Sequence, residues 1–227
     1  SKIKTAKKSL DNALVNNEFK MKGYWSLDVY NRLHFFDPNR PIYYDIGAEV
    51  ISGFKIKPGF YFENTIELPL LTTFDDIWRG SKGSLPRVRT HQKGFLNETD
   101  PKIKNLTLNS FYKISDDVYG RITGGYLEYM YAGISSEILH APAESNFSFG
   151  AEVNYVKPRH YRQLFKFQSV SGLSKINGHL SAYWDTNFYN YITQLDVGRY
   201  MAGDNGATFT LTRKYPNGWE VGGFFSL

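Results

Sequence analysis

Residues 206–227 alternate apolar and polar side chains with a period of two on either side of a tight turn, a pattern that constrains the chain to antiparallel β-structure. Ala207, Phe209, Leu211 and Tyr215 fall on one face of a strand, and Thr208, Thr210, Thr212 and Lys214 on the other. Pro216, Asn217 and Gly218 turn the chain, after which Trp219, Val221, Gly223, Phe225 and Leu227 resume the apolar face. Tyr215 and Trp219 bracket the turn. Aromatic side chains at the ends of alternating strands also mark membrane-spanning barrels, where they sit at the lipid–water boundary.

The same signature recurs along the chain. Trp25, Leu27, Val29, Leu33 and Phe35 alternate against Ser26, Asp28, Tyr30, Arg32 and His34. Ile42, Tyr44, Ile46, Ala48 and Val50 oppose Asp45, Gly47 and Glu49, and Lys57-Pro58-Gly59 leads into Phe60, Phe62, Ile66 and Leu68 against Glu63, Thr65 and Glu67. Leu106, Leu108, Tyr112 and Ile114 reach a turn at 115–117, from which Val118, Ile122 and Tyr126 return. The cleanest strand sets Phe147, Phe149, Ala151, Val153 and Tyr155 against Ser148, Gly150, Glu152 and Asn154. Two more follow at 176–185 and 189–197. The hairpin arms amount to about twelve strands, each near the roughly 9–11 residues that cross a bilayer at a tilt.

A soluble β-sandwich also alternates, so the alternatives are a sandwich or an up-and-down transmembrane barrel. Two features favour the barrel. The polar face repeatedly carries charged or small residues, among them Glu49, Gly53, Lys55, Glu63, Glu67, Arg121, Glu152, Asp196 and Glu220, as a hydrated interior would. Aromatics, 17% of the 227 residues, also crowd the turns rather than the strand centres. Mean hydropathy is −0.43, and no apolar run reaches the ~18 residues of a membrane helix. A barrel is compatible with that value, because lipid-facing and interior residues alternate and their hydropathies cancel.

Two segments break the rhythm. Residues 1–20 include a basic helical periodicity and read as a helical or flexible connector from an upstream segment, with the β-barrel region occupying 21–227. The chain begins at Ser1 and stops within a strand pattern, which reads as a piece of a longer, processed protein. Residues 72–103 lack alternation and carry Arg79, Arg87, Arg89, Lys93 and Lys102, predicting a long loop that enters or covers the barrel mouth.

Catalytic signals are lacking. The sequence has no Walker loop, GxGxxG, G-x-S-x-G or H-E-x-x-H motif, and no cysteine. Its five histidines are scattered without metal-ligand spacing. His179, Ser181 and Asp185 share a face only as any polar strand face would supply them. No RNP or OB signature accompanies the basic residues, so nucleic acid is not an expected partner. The net charge of +5 suits contact with anionic glycans or lipopolysaccharide as well as ordinary surface lysines.

Several stretches then carry a resemblance. Leu85-Pro86-Arg87-Val88-Arg89-Thr90 is similar to a segment of the YjbH-like exopolysaccharide biosynthesis proteins of Gram-negative bacteria. Tyr119-Gly120-Arg121, the run from Gly125 through Glu128 to Gly133, and Glu137-Ile138-Leu139 resemble the same family. So, in order, do Gly150 to Arg159, Gly178 to Asp185 and Gly198 to Thr208. Asn205 and His91 depart from the family pattern, which often has an aromatic and an Asp at those places.

The resemblance implies an outer-membrane β-barrel protein needed for exopolysaccharide production or export, without enzymatic activity and without a cofactor. Expected partners are polysaccharide, outer-membrane lipid or lipopolysaccharide, and periplasmic export proteins. The alternative is a structural or interaction barrel, or a soluble β-sandwich carbohydrate-binding module, with no transport activity. Candidate glycan contacts are Arg87, Arg89, Glu63, Glu67 and Glu128, since arginine forks suit carboxylated sugars or hydroxyl pairs. Equally, the two arginines could fix the loop to inward carboxylates such as Glu63 or Glu67. Glu152, Asn154, Gln194, Asp196, Thr208, Thr210 and Glu220 are expected to face the lumen.

Overall fold

The computed structural model describes residues 21–36, 40–74, 88–89, 92–97, 101–161, 165–169 and 173–227. These form eleven strands and a short helix. The strands are β1 (Lys22–Phe35), β2 (Ile42–Lys57), β3 (Phe60–Thr72), β4 (Lys102–Lys113), β5 (Val118–Tyr126) and β6 (Tyr131–His140). β7 (Phe147–Pro158), β8 (Ile176–Asp185), β9 (Tyr191–Arg199), β10 (Asn205–Lys214) and β11 (Glu220–Ser226) complete them. Helix α1 (Gln92–Asn97) lies between β3 and β4. Among the described residues no helix is long and apolar enough to cross a membrane.

All eleven strands lie in one sheet in chain order, each antiparallel to the next. The all-β, up-and-down architecture is the one the hairpin series implies, with eleven strands where the turns suggested about twelve. β1 and β11 end the order and do not pair with each other, so the sheet is open rather than closed on itself. Around the interval 72–103, β3 runs to Thr72, α1 forms within it, and β4 starts at Lys102. The connector expected at 1–20 lies outside the described residues.

The hairpin that opened the sequence reading forms with Lys214 opposite Glu220, and the Tyr215 amide donates to the Trp219 carbonyl at 2.8 Å. Gly218 takes φ +86°, a left-handed conformation that costs glycine nothing. In register, Phe209 faces Leu195 and Phe225, while Thr208 faces Asp196 and Ser226. Pro69 sits beside a β-bulge, where the lack of an N–H is tolerated.

The polar face is concave, as the placement of α1 shows. Phe95 packs with Met130, Tyr131 and Val156 at the ends of β6 and β7, while its neighbour Leu96 packs with Tyr43 on β2 and with Phe74. On a flat sheet β2 and β6 would lie about 19 Å apart at ~4.8 Å per strand. Adjacent helix residues reach both only because the sheet curls around them. Arg159 repeats the point from the end of β7, donating to the carbonyl of Ile103 on β4 and to those of Glu128 and Tyr129.

Tight coiling at this end uses a facing pair of glycines. Gly125 has φ +128° and pairs with Gly133; an added Cβ would meet the Leu106 carbonyl oxygen at 2.1 Å from the first and the Tyr155 carbonyl oxygen at 1.9 Å from the second. Gly124 is the internal control, because its Cβ would find nothing closer than 3.9 Å. Gly125→Ala and Gly133→Ala are expected to lower the thermal midpoint followed by circular dichroism, and Gly124→Ala to leave it in place. Equal effects at all three positions would refute the coiling argument.

Candidate functional site

Strand register sorts the side chains into two chemically opposite faces. One carries Trp25, Leu27 and Val29 on β1, Phe149 and Val153 on β7, Leu180 on β8 and Phe225 on β11, all exposed. Val29 reaches 82% exposure and Trp25 76%, values foreign to a packed core. The concave face carries the acidic clusters and the cations that pair with them. Every residue expected to face a lumen lies on it: Glu152 and Asn154 from β7, Gln194 and Asp196 from β9, Thr208 and Thr210 from β10, and Glu220 from β11.

Two ion clusters on this face share a design. Glu49 and Glu67 stand directly opposite each other on β2 and β3, a like-charge juxtaposition that destabilises a sheet unless countered. Lys104 lies 2.8 Å from Glu49 and 3.6 Å from Glu67, and Arg32 reaches across β2 to hold Glu67 in a fork at 2.9 and 3.0 Å. Arg32 also donates to Asp45 at 2.8 Å. Asp45 is 0% exposed and Glu67 4%, and buried charges of this kind need partners such as these cations. Further along, Glu137 and Glu152 face each other on β6 and β7, and Arg121 from β5 bridges them at 2.7 and 3.2 Å.

Neutral side chains extend the polar network on this face. Asn109 donates to Glu63 at 2.9 Å and accepts from Thr123 at 2.8 Å, and the Tyr24 hydroxyl reaches Glu63 from β1. Asn154 donates to Glu152 and to Asn177. Asp196 accepts from Ser181 at 2.6 Å and from Gln194 at 2.9 Å, and has no ion pair among the described residues. Thr208 links Tyr200 with Ser226. Lys214 and Glu220, both half exposed, approach to 3.5 Å.

The candidate glycan contacts do not converge on one spot. Arg87 lies outside the described residues. Arg89 forms a fork with Glu128 at 2.6 and 2.9 Å and lies 5.7 Å from the Tyr129 ring centroid. Burial would lower the Arg89 pKa, but the hydrogen bond and charge of Glu128 raise it above the ordinary arginine value. This is an anchoring arrangement, with Glu128 as the partner instead of Glu63 or Glu67. Tyr131 hydrogen-bonds the Val88 carbonyl beside it, and Lys102 donates to the Leu96 carbonyl at 3.0 Å. The 88–89 turn and α1 are thereby tied to the strand ends on the concave side.

Sequence reading missed two cations. Arg159 is 5% exposed, sits 3.8 Å from the Tyr126 ring centroid, and has a pKa lowered by burial. Arg213 falls on the apolar face of β10, where the rings of Tyr189, Tyr191 and Tyr215 surround it at 4.8–5.9 Å. Its alternation slot was visible in the sequence, but the partners come from different hairpins.

Comparison with known proteins identifies a family. The YjbH profile, described as "Exopolysaccharide biosynthesis protein YbjH", matches residues 1–227. The chain belongs to the YjbH family. An Escherichia coli (strain K12) protein named "Uncharacterized lipoprotein YjbH" is 38% identical over 144 residues, which cover 63% of this chain and 20% of that protein. This chain thus matches only about a fifth of the length of its YjbH relative. No solved structure matches.

Arg32 offers the clearest test of the concave face. Arg32→Ala is expected to destabilise the fold by about 3 kcal/mol, because it removes the nearest cation from two buried carboxylates. Adding Asp45→Asn and Glu67→Gln should restore part of that loss, as read by thermal or urea unfolding. A fully additive triple variant would show that the three groups do not act as one unit. Separately, Arg89→Ala should expose the segment around residues 88–97 to limited proteolysis without shifting the midpoint of the sheet.

Proposed function

We propose that this chain is a section of an outer-membrane β-barrel whose concave polar face lines a hydrated interior and whose apolar face meets lipid, guiding or scaffolding exopolysaccharide on its way out of the cell. The observation that carries this reading is the exposed apolar face. At ~4.8 Å per strand and ~3.3 Å per residue, eleven strands of about ten residues make a face roughly 50 Å by 30 Å, on the order of 1,500 Å², against a largest patch of about 300–600 Å² on typical soluble monomers. Among the described residues all strands belong to one sheet, and none of them covers that face as the second sheet of a sandwich would.

The polar face supports the same reading. Charges there are grouped and countered across strands, as interior residues of a water-filled barrel need to be, whereas charge on a lipid face costs up to about 2–4 kcal/mol near the midplane. Family membership supports exopolysaccharide as the cargo, and the lipoprotein name of the Escherichia coli relative supports an envelope location. The longer connections, 73–101 and 159–175, leave one end of the sheet, and barrels of this kind carry their longer loops outside the cell. α1 would then narrow the outer mouth, with Arg89 and Glu128 as its anchor. Polysaccharide, lipopolysaccharide and periplasmic export proteins are the partners this implies, and no catalytic step is assigned.

The second reading is a scaffold of the same topology that conducts nothing. Single cysteines in the full-length protein, in intact outer membranes, address the shared premise. A membrane-impermeant maleimide should label Glu152→Cys, and should label Phe149→Cys only after detergent is added. Labelling of position 149 in the intact membrane, with position 152 silent, would overturn both readings. Ion conductance of the full-length protein in planar bilayers then separates conduit from scaffold.

A further inference from the structure

We infer that the cleft on the concave face between β6 and β10 is a subsite for a neutral, polyhydroxylated sugar and disfavours uronate-bearing chains; the inference rests on the interior-face reading above. The cleft has a volume of about 340 Å³, within the range of small-ligand sites and room for one or two sugar rings. Its chemistry comes from Glu137, Glu152, Asp196, His179, Tyr183 and Tyr200.

Three carboxylates there face one guanidinium, that of Arg121, which Glu137 and Glu152 already share. Asp196 differs from every other carboxylate described in the two ion clusters, because only neutral Ser181 and Gln194 hold it. Ionised carboxylates accept hydrogen bonds and cannot donate them, so they match a ligand rich in hydroxyl donors. A uronate brings a further anion into a site with surplus negative charge and is repelled. The tyrosine rings add apolar surface for the C–H face of a pyranose, with a polar tip beside it. Tyr200 is set by its hydrogen bond to Thr208 and by an edge-on contact with His179, ring centroids 4.6 Å apart.

One further polar group lies in the cleft wall. His179, whose ring stands against Tyr200, has a side-chain nitrogen with no hydrogen-bond partner among the described residues. A polar group left unpaired is costly, and a hydroxyl-bearing ligand offers both donors and acceptors.

Full-length protein in detergent, titrated with maltohexaose and with hexagalacturonate and followed by calorimetry, tests this. Maltohexaose should bind more tightly than the acidic hexamer. Asp196→Ala and Tyr200→Ala should each weaken it about tenfold, and Glu152→Gln combined with Asp196→Asn should strengthen the acidic hexamer. Glu220→Gln, on the same face but distant in register, should change neither. Tighter binding of the acidic hexamer, no binding of either, or neutral-sugar affinity unmoved by both cleft variants overturns the inference. The cysteine-labelling result stands independently, so loss of the subsite with positions 149 and 152 labelled as expected retires this inference alone.

Discussion

Backbone pairing on both sides of nine of the eleven strands is the constraint on which the rest of this molecule depends. Side chains alternate across the sheet, so each ladder fixes which face every residue occupies, and a slip of one residue would invert a whole strand. The penalty for inversion is severe at Arg32, whose fork to Glu67 must cross the intervening strand that carries Asp45. The same register brings Arg121 beside Glu137 and Glu152. Charge pairing and hydrophobic sorting therefore select one register together, where either alone would leave alternatives.

The two ion clusters show why acids can face each other across strands here. Glu49 opposite Glu67 and Glu137 opposite Glu152 would each repel, yet one cation from a neighbouring strand spans each pair. Arginine suits the positions that serve two carboxylates, because its planar fork offers donors in two directions. Three or four strands are thus locked laterally by side chains as well as by the ladder. Between β8 and β10 the pattern changes: Asp196 is held by neutral groups, leaving a carboxylate whose remaining lone pairs are available on a concave surface.

Curvature gives these groups a common interior. α1 is too short to be stable alone, and it persists because Phe95 and Leu96 each find an apolar cluster on a different arc of the sheet. Arg159 ties the same rim through carbonyls on β4 and the β5–β6 turn, with its guanidinium over Tyr126. Strand end, helix and turn are held to one another at the rim, while the opposite end closes with short hairpins such as 58–59 and 114–117.

The amino-acid sequence by itself determined the strands, their turns and their faces, because side-chain period and turn chemistry are local properties. Alternation alone sets Phe149 and Glu152 on opposite faces, and Phe209 and Thr208 likewise. The belonging of the chain to an exopolysaccharide family was equally legible, through ordered segments from Leu85 to Thr208. Pairings across strands were not legible, since they depend on register and curvature. Arg89 could be singled out as an anchor or a ligand contact, but only the fold brought it to Glu128. Alternation sets Arg32 and Arg121 on the polar face, but their partners, like those of Arg159 across the rim, lie on other strands and carry no local signal. The helix within 72–103 carries no legible sequence signal, since its six residues show too little periodicity and its stability comes from the two clusters it joins. Asp196 shows the division most plainly: alternation placed it on the polar face, and tertiary structure alone left it without a cation, in a cleft beside Tyr200 and His179.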